Sequence, residues 1–181
     1  MRRRASGAPS SEGAERDPVP PETALRQDVL RFLRVRERTR REVSDYLRRR
    51  GHPPELIARA TEELVEAGLV DDARFARVYL RDRQRLHPIG RMAVRRELQA
   101  RGVDPGAVEV ALAESDPPWD EEEMARAAVE RRWARWPGAA RRERAVRFLR
   151  TRGFEPGAIR AVLDRLERET GGEERDGDDI Q

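Results

Sequence analysis

REVSDYLRRRGHPPELI (residues 41–57) turns one helix into the next through a single corner, and the same corner returns twice. MAVRRELQARGVDPGAV (92–108) and ERAVRFLRTRGFEPGAI (143–159) repeat it at a constant step of 51 residues. Gly51, Gly102 and Gly153 are each preceded at four residues by Leu47, Leu98 or Leu149, and directly by Arg50, Arg101 or Arg152. Pro54, Pro105 and Pro156 follow at three residues, and Ile57, Val108 and Ile159 at six. Each column has a physical reason. Leucine packs the end of a helix, glycine accepts the left-handed turn that ends it, and proline suits the first turn of the next, where its missing N–H is not needed. Three copies at one period indicate a tandem helical array.

The periodicity around the corners fills in the units. Leu25, Val29, Leu30, Phe32 and Leu33 share one helical face and predict a helix running to about residue 36. Thr39 with Glu42 three residues on reads as a capping box for the next helix, which places Val43, Tyr46 and Leu47 inward. The third helix carries Leu56, Ile57, Ala60, Leu64 and Val65 and ends at Gly68. The second unit repeats this plan with Phe75, Ala76, Val78, Tyr79 and Leu80, then Met92, Val94 and Leu98, then Val108, Ala111 and Leu112. The third follows with Met124, Ala125, Ala128, Val129 and Trp133, then Ala145, Val146, Phe148 and Leu149, then Ile159, Val162, Leu163 and Leu166. The expected fold is all-α: three tandem three-helix repeats over residues 24–68, 69–116 and 117–168, forming an elongated, curved helical array. Residues 1–23, rich in Pro, Ser, Gly and Glu, read as a disordered extension, and 169–181 as an acidic disordered tail.

Composition narrows the function classes. Charged residues make up 40% of the chain against 37% hydrophobic, which suits solvated helices with narrow apolar stripes better than a deep catalytic cleft. There is no cysteine, and hence no disulfide, thiolate nucleophile or cysteine-ligated zinc. With two histidines, His52 and His87, the ligand supply for a metal is sparse, and no P-loop or nucleophile elbow is present. No cofactor and no enzymatic activity are expected. No apolar run of membrane-spanning length and no secretory leader appear, so a cytoplasmic protein with no membrane partner is expected. All 38 basic side chains are arginine; the guanidinium is always charged and forked to meet phosphate or carboxylate. Residues 25–163 carry a net charge of +8 and residues 164–181 one of −5. A basic body points to polyanionic or acidic partners.

RREVSDYLRRRG (40–51), LVEAGLVDDARFARVYLRDR (64–83) and PIGRMAVRRELQARGVD (88–104) resemble the RecX family. Gly68, Asp71, Asp72, Phe75 and Ala76 match one element of that family's pattern, and Gly90, Val94, Leu98 and Gly102 another; the resemblance spans roughly residues 25–166. Where the family usually has lysine before the glycines this chain has arginine, and neither terminal segment belongs to the family pattern. The resemblance implies a regulator of RecA, the recombinase that polymerises on single-stranded DNA. Such a protein lies in the groove of the filament and suppresses its growth, ATP hydrolysis and strand exchange. The partners implied are the RecA nucleoprotein filament and, directly, single-stranded or duplex DNA, met by a monomer.

The candidate contact residues are Arg48, Arg49, Arg50, Arg95, Arg96, Arg101, Arg150 and Arg152, clustered toward the ends of the three middle helices. At a helix C-terminus a cation also offsets the helix dipole, so a structural role competes with partner binding for each. Asp71, Asp72 and the acidic run from Asp120 to Glu123 read as helix caps rather than acid–base pairs. Trp133 reads as core, and Trp136 as a ring that could stack on a base. The competing function is a helix-turn-helix DNA-binding regulator reading through the helix after Pro53, although Glu55, Glu62, Glu63 and Glu66 on that helix would repel phosphate.

Overall fold

The computed structural model describes residues 20–176, with side chains to residue 170. The segment 1–19 of the N-terminal extension and 177–181 of the tail lie outside the described residues. Among the described residues there are nine helices and no strand: α1 (Pro21–Leu33), α2 (Arg40–Arg49), α3 (Pro54–Glu66), α4 (Asp72–Leu86), α5 (Arg91–Ala100), α6 (Pro105–Ala113), α7 (Glu121–Trp133), α8 (Gly138–Thr151) and α9 (Pro156–Asp176). They form three three-helix units in chain order. No hydrogen bond or ion pair joins the first unit to the third among the described residues, which leaves the second as the link between them.

The corners do what their residue types dictate. Gly51, Gly102 and Gly153 have φ of 84°, 88° and 75°, and the N–H beyond each glycine turns back to the carbonyl of Leu47, Leu98 or Leu149. Thr39 caps α2 by accepting the Glu42 N–H, but the return half of the capping box is not made: the Glu42 carboxylate turns to Arg36 and Arg101 instead. Asp71, not Asp72, caps α4, and Asp120 caps α7. Some apolar residues expected inward face solvent. Leu30 is 69% exposed because α1 buries only the stripe of Leu25, Asp28 and Val29, and Leu30 lies beside it. Val65, Val78 and Met92 are exposed for the same reason, lying at the margins of their stripes. α9 continues past residue 168, where the sequence reading ends the third unit, to Asp176. Nothing in that stretch forbids a helix, since only Gly171 and Gly172 are poor helix formers, and Arg165 pairs with Glu169 one turn on.

The apolar interior is not evenly divided. Leu25, Val29, Val43, Leu47, Ile57 and Val70 form a core belonging to the first unit. The second and third units share one continuous core running from Phe75 through Leu98, Trp119 and Val129 to Leu166.

The units are joined by one device used twice. The N-terminus of a middle helix sits on the glycine corner of the following unit. At the first joint the buried Thr39 hydroxyl donates to the Arg101 carbonyl (2.7 Å), and the Arg40 N–H donates to Asp72 Oδ1 (2.9 Å). At the second, 51 residues on, Gly90 stands in the place of Thr39; its own N–H donates to the Arg152 carbonyl (2.9 Å), and the Arg91 N–H to the Glu121 carboxylate (3.2 Å). Where threonine reaches across with a side chain, glycine brings backbone against backbone. The acid that receives the arginine N–H in each joint is the first residue of the next unit's first helix. Burial raises the carboxyl pKa of both Asp72 and Glu121, only partly offset by the N–H groups that point at them.

Candidate functional site

The eight candidate arginines divide by what their side chains touch. Arg50, directly before Gly51, turns back under the corner. Its Nε and Nη2 donate to the two oxygens of Asp28 at 3.1 and 3.0 Å, and His52 Nε2 meets Asp28 Oδ2 at 2.9 Å. Hydrogen bonds from Arg50 and then His52 hold the Asp28 carboxyl below its ordinary value, against the effect of burial. Arg101 occupies the same register one unit on and reaches the previous unit, with Nη1 on Glu42 Oε1 at 2.7 Å and the guanidinium 5.7 Å from the Phe75 ring centre. Burial pushes the Glu42 carboxyl up, but Arg36 and Arg101 outweigh it and hold it low. Arg152, third in register, has no carboxylate partner among the described residues; it donates to the Pro88 carbonyl (3.3 Å) and lies 4.7 Å over Phe148. Arg95 forks onto Glu109 (2.7 and 3.0 Å) and also reaches Glu155 of the third unit at 3.5 Å. These four tie the array together.

The other four face solvent. Arg48 is paired only with Asp45 on its own helix (2.6 Å). Arg49, Arg96 and Arg150 are exposed and meet no carboxylate among the described residues. The structure adds two groups that the sequence reading passes over. Arg77, Arg81 and Arg85 lie at i, i+4 and i+8 on α4, exposed and with no carboxylate partner among the described residues, forming a ridge along one face. Arg131, Arg132 and Arg135 gather at the end of α7 beside Trp136. The i+4 spacing on α4 was legible; that the ridge lacks compensating acids was not, because Asp82 lies inside it in sequence. Between the first two units a cleft of about 310 Å³ sets apolar Val78, Leu86 and Phe75 beside Arg36, Arg83 and Arg101. At its wall the Tyr79 hydroxyl donates to Glu97, and burial followed by that bond raises the Tyr79 pKa to about 12.

On the acidic helix α3, Glu62 pairs with Arg40 at 3.3 Å and Glu63 with Arg59 at 3.6 Å, while Glu55 and Glu66 meet no arginine among the described residues. Trp133 is buried, as the sequence suggests, and its Nε1 meets Thr170. Trp136 is half-buried, edge-on to Phe148 at 6.0 Å between centroids. Among the described residues no group of three or more His, Cys, Asp or Glu side chains could hold a metal ion, and no helix is long and apolar enough to cross a membrane.

The Asp28 node gives a pH prediction. A carboxyl whose pKa falls on folding stabilises the fold fully above its unfolded value near 3.9. That contribution disappears as pH drops through the lower folded value. Asp28→Asn should therefore cost about 2 kcal/mol at pH 6. The gap between variant and wild type in urea unfolding should narrow as the pH falls below that unfolded value. A gap independent of pH would show that the ion pair does not hold α1 in place.

Three family models match the chain: RecX, first three-helix domain, over residues 26–64; RecX, second three-helix domain, over 71–112; and RecX, third three-helix domain, over 120–163. The chain is 40% identical to the regulatory protein RecX of Halorhodospira halophila over an alignment covering 77% of this chain and 86% of that protein. It is 35% identical to the regulatory protein RecX of Streptomyces lividans, covering 96% of this chain and 95% of that one. Among solved structures, the crystal structure of RecX from Lactobacillus salivarius superposes with a TM-score of 0.69 at 22% identity, covering 81% of this chain and 97% of that one, a likeness of fold.

Proposed function

Because the chain belongs to the RecX family, we propose that it is a regulatory protein that seats on RecA filaments formed on single-stranded DNA and slows their growth, ATP hydrolysis and strand exchange. It acts as a binding protein, not as an enzyme, and as a monomer. The observation that carries the reading is the three-unit match along the length of the basic body, in a chain 35% identical to a regulatory protein RecX over 96% of its own length. The surface chemistry supports it. Arg48, Arg49, Arg96 and Arg150 project from three successive units, and the exposed Arg77–Arg81–Arg85 ridge adds further positive charge. A filament offers both acidic protein surface and phosphate, and guanidinium groups engage either. Contacts spread over three linked units act together, so each can be weak while the whole is held. The cleft with Val78 and Leu86 supplies an apolar component suited to a protein surface.

The test follows ATP turnover by RecA on single-stranded DNA at low salt as this protein is added. Turnover should fall steeply as the protein approaches stoichiometry with RecA. Unchanged turnover at stoichiometric protein removes the reading.

A further inference from the structure

We propose that the cleft at the end of α7 binds one nucleotide of a single-stranded nucleic acid, with its phosphate on Arg131 and Arg135 and its base against Trp136. The cleft holds about 310 Å³ and is lined by Arg131, Arg132, Arg135 and Trp136. That is the low end of the range for small-ligand sites, of order 300 Å³, and about the size of a single nucleotide.

What marks this cleft is a ring beside the charge. On the third unit Arg126 pairs with Glu169, Arg142 with Asp164 and Glu167, Arg147 with Glu143 and Arg165 with Glu169, while Arg144, Arg150, Arg160 and Arg168 are exposed and meet no carboxylate among the described residues. At the end of α7, Arg131, Arg132 and Arg135 meet no carboxylate among the described residues. The dipole of α7 accounts for a cation or two in its last turn. It does not account for Arg135, which lies beyond the helix, nor for the rings. Arg132 and Arg152 both lie over Phe148, at 4.8 and 4.7 Å, and Arg141 is fixed by donating to the Trp136 carbonyl at 3.2 Å. These three are occupied in holding the aromatic wall, whereas Arg131 and Arg135 are exposed and meet no carboxylate among the described residues. The result is a half-buried indole set beside exposed guanidinium groups. An anion alone would need no ring, and an apolar ligand would need no arginine. A nucleotide uses both, and the ring can stack only on a base that is not already paired in a duplex.

The proposal is independent of RecA, and its test contains none. The full-length protein is titrated against fluorescein-labelled octathymidylate, read by anisotropy, over a series of salt concentrations. Arg131→Gln with Arg135→Gln should weaken binding about tenfold at low salt and flatten the salt dependence by about 0.7 in log–log slope, one phosphate contact being lost. The thermal midpoint should not move, since neither side chain supports the fold. Trp136→Leu should weaken binding about fivefold while leaving the slope in place. An unchanged affinity and slope in the double glutamine variant overturns the site. So does equal binding of a duplex of the same length, or of polyglutamate, either of which would reduce the cleft to a patch of charge. A negative result here leaves the filament reading standing, and a failed ATP-turnover test leaves this one.

Discussion

Gly90→Ala is expected to part the second unit from the third and to be among the most damaging single changes in the chain. A Cβ at residue 90 would lie 2.1 Å from the Gly153 carbonyl oxygen and 2.3 Å from Phe154 Cα, and both are backbone atoms that cannot swing aside. The conformation itself suits alanine, at φ −80°. The whole penalty is therefore steric, and relieving it breaks the Gly90 N–H bond to Arg152 and the Met92 N–H bond to Gly153. A loss of about 4 kcal/mol is expected. For a chain of this size that lowers the thermal midpoint by about 10 °C. Gly51→Ala is the control. Gly51 shares the corner but has open space around its Cβ, so only the left-handed backbone opposes the change, at about 1 kcal/mol. Equal midpoints for the two variants would refute the close approach.

Reversing the solvent-facing arginines should abolish most of the regulatory effect without touching the fold. In a variant carrying Arg48→Glu, Arg49→Glu, Arg96→Glu and Arg150→Glu, the concentration giving half-maximal inhibition of RecA turnover should rise about tenfold to a hundredfold. The effect should shrink as salt is added, because exposed charges are screened. Arg50→Glu should behave oppositely. It places a carboxylate beside the buried Asp28, so helicity in the first unit suffers and any loss of inhibition follows from unfolding. Full inhibition by the fourfold variant would mean that these four side chains do not touch the filament.

The contrast between those two variants marks where the sequence stopped informing. The glycine corners were legible because each column has one local cause, and local causes survive in a single chain. The arginine before each glycine repeats equally well, yet its partner is different every time. Arg50 finds Asp28, 22 residues back; Arg101 finds Glu42, 59 back; Arg152 finds a carbonyl and a ring. No periodicity encodes partners at such distances. The joint had the same fate: that Gly90 occupies the place of Thr39 is visible as a spacing, but that one bonds through its backbone and the other through a hydroxyl depends on how closely the units approach. The α7 cleft was legible only as a lone tryptophan, since its charge is defined by acids that lie elsewhere.

The uneven interior has a mechanical consequence. Two units fused by a common apolar filling behave as one stiff body, while the remaining unit is fastened by a hydroxyl, an amide and a few ion pairs. Such a fastening yields at far lower load than a continuous filling. The molecule is thus a rigid lever with one compliant seam after the first third of its length. A lever of that kind bends at one place while the greater part of its length keeps its form.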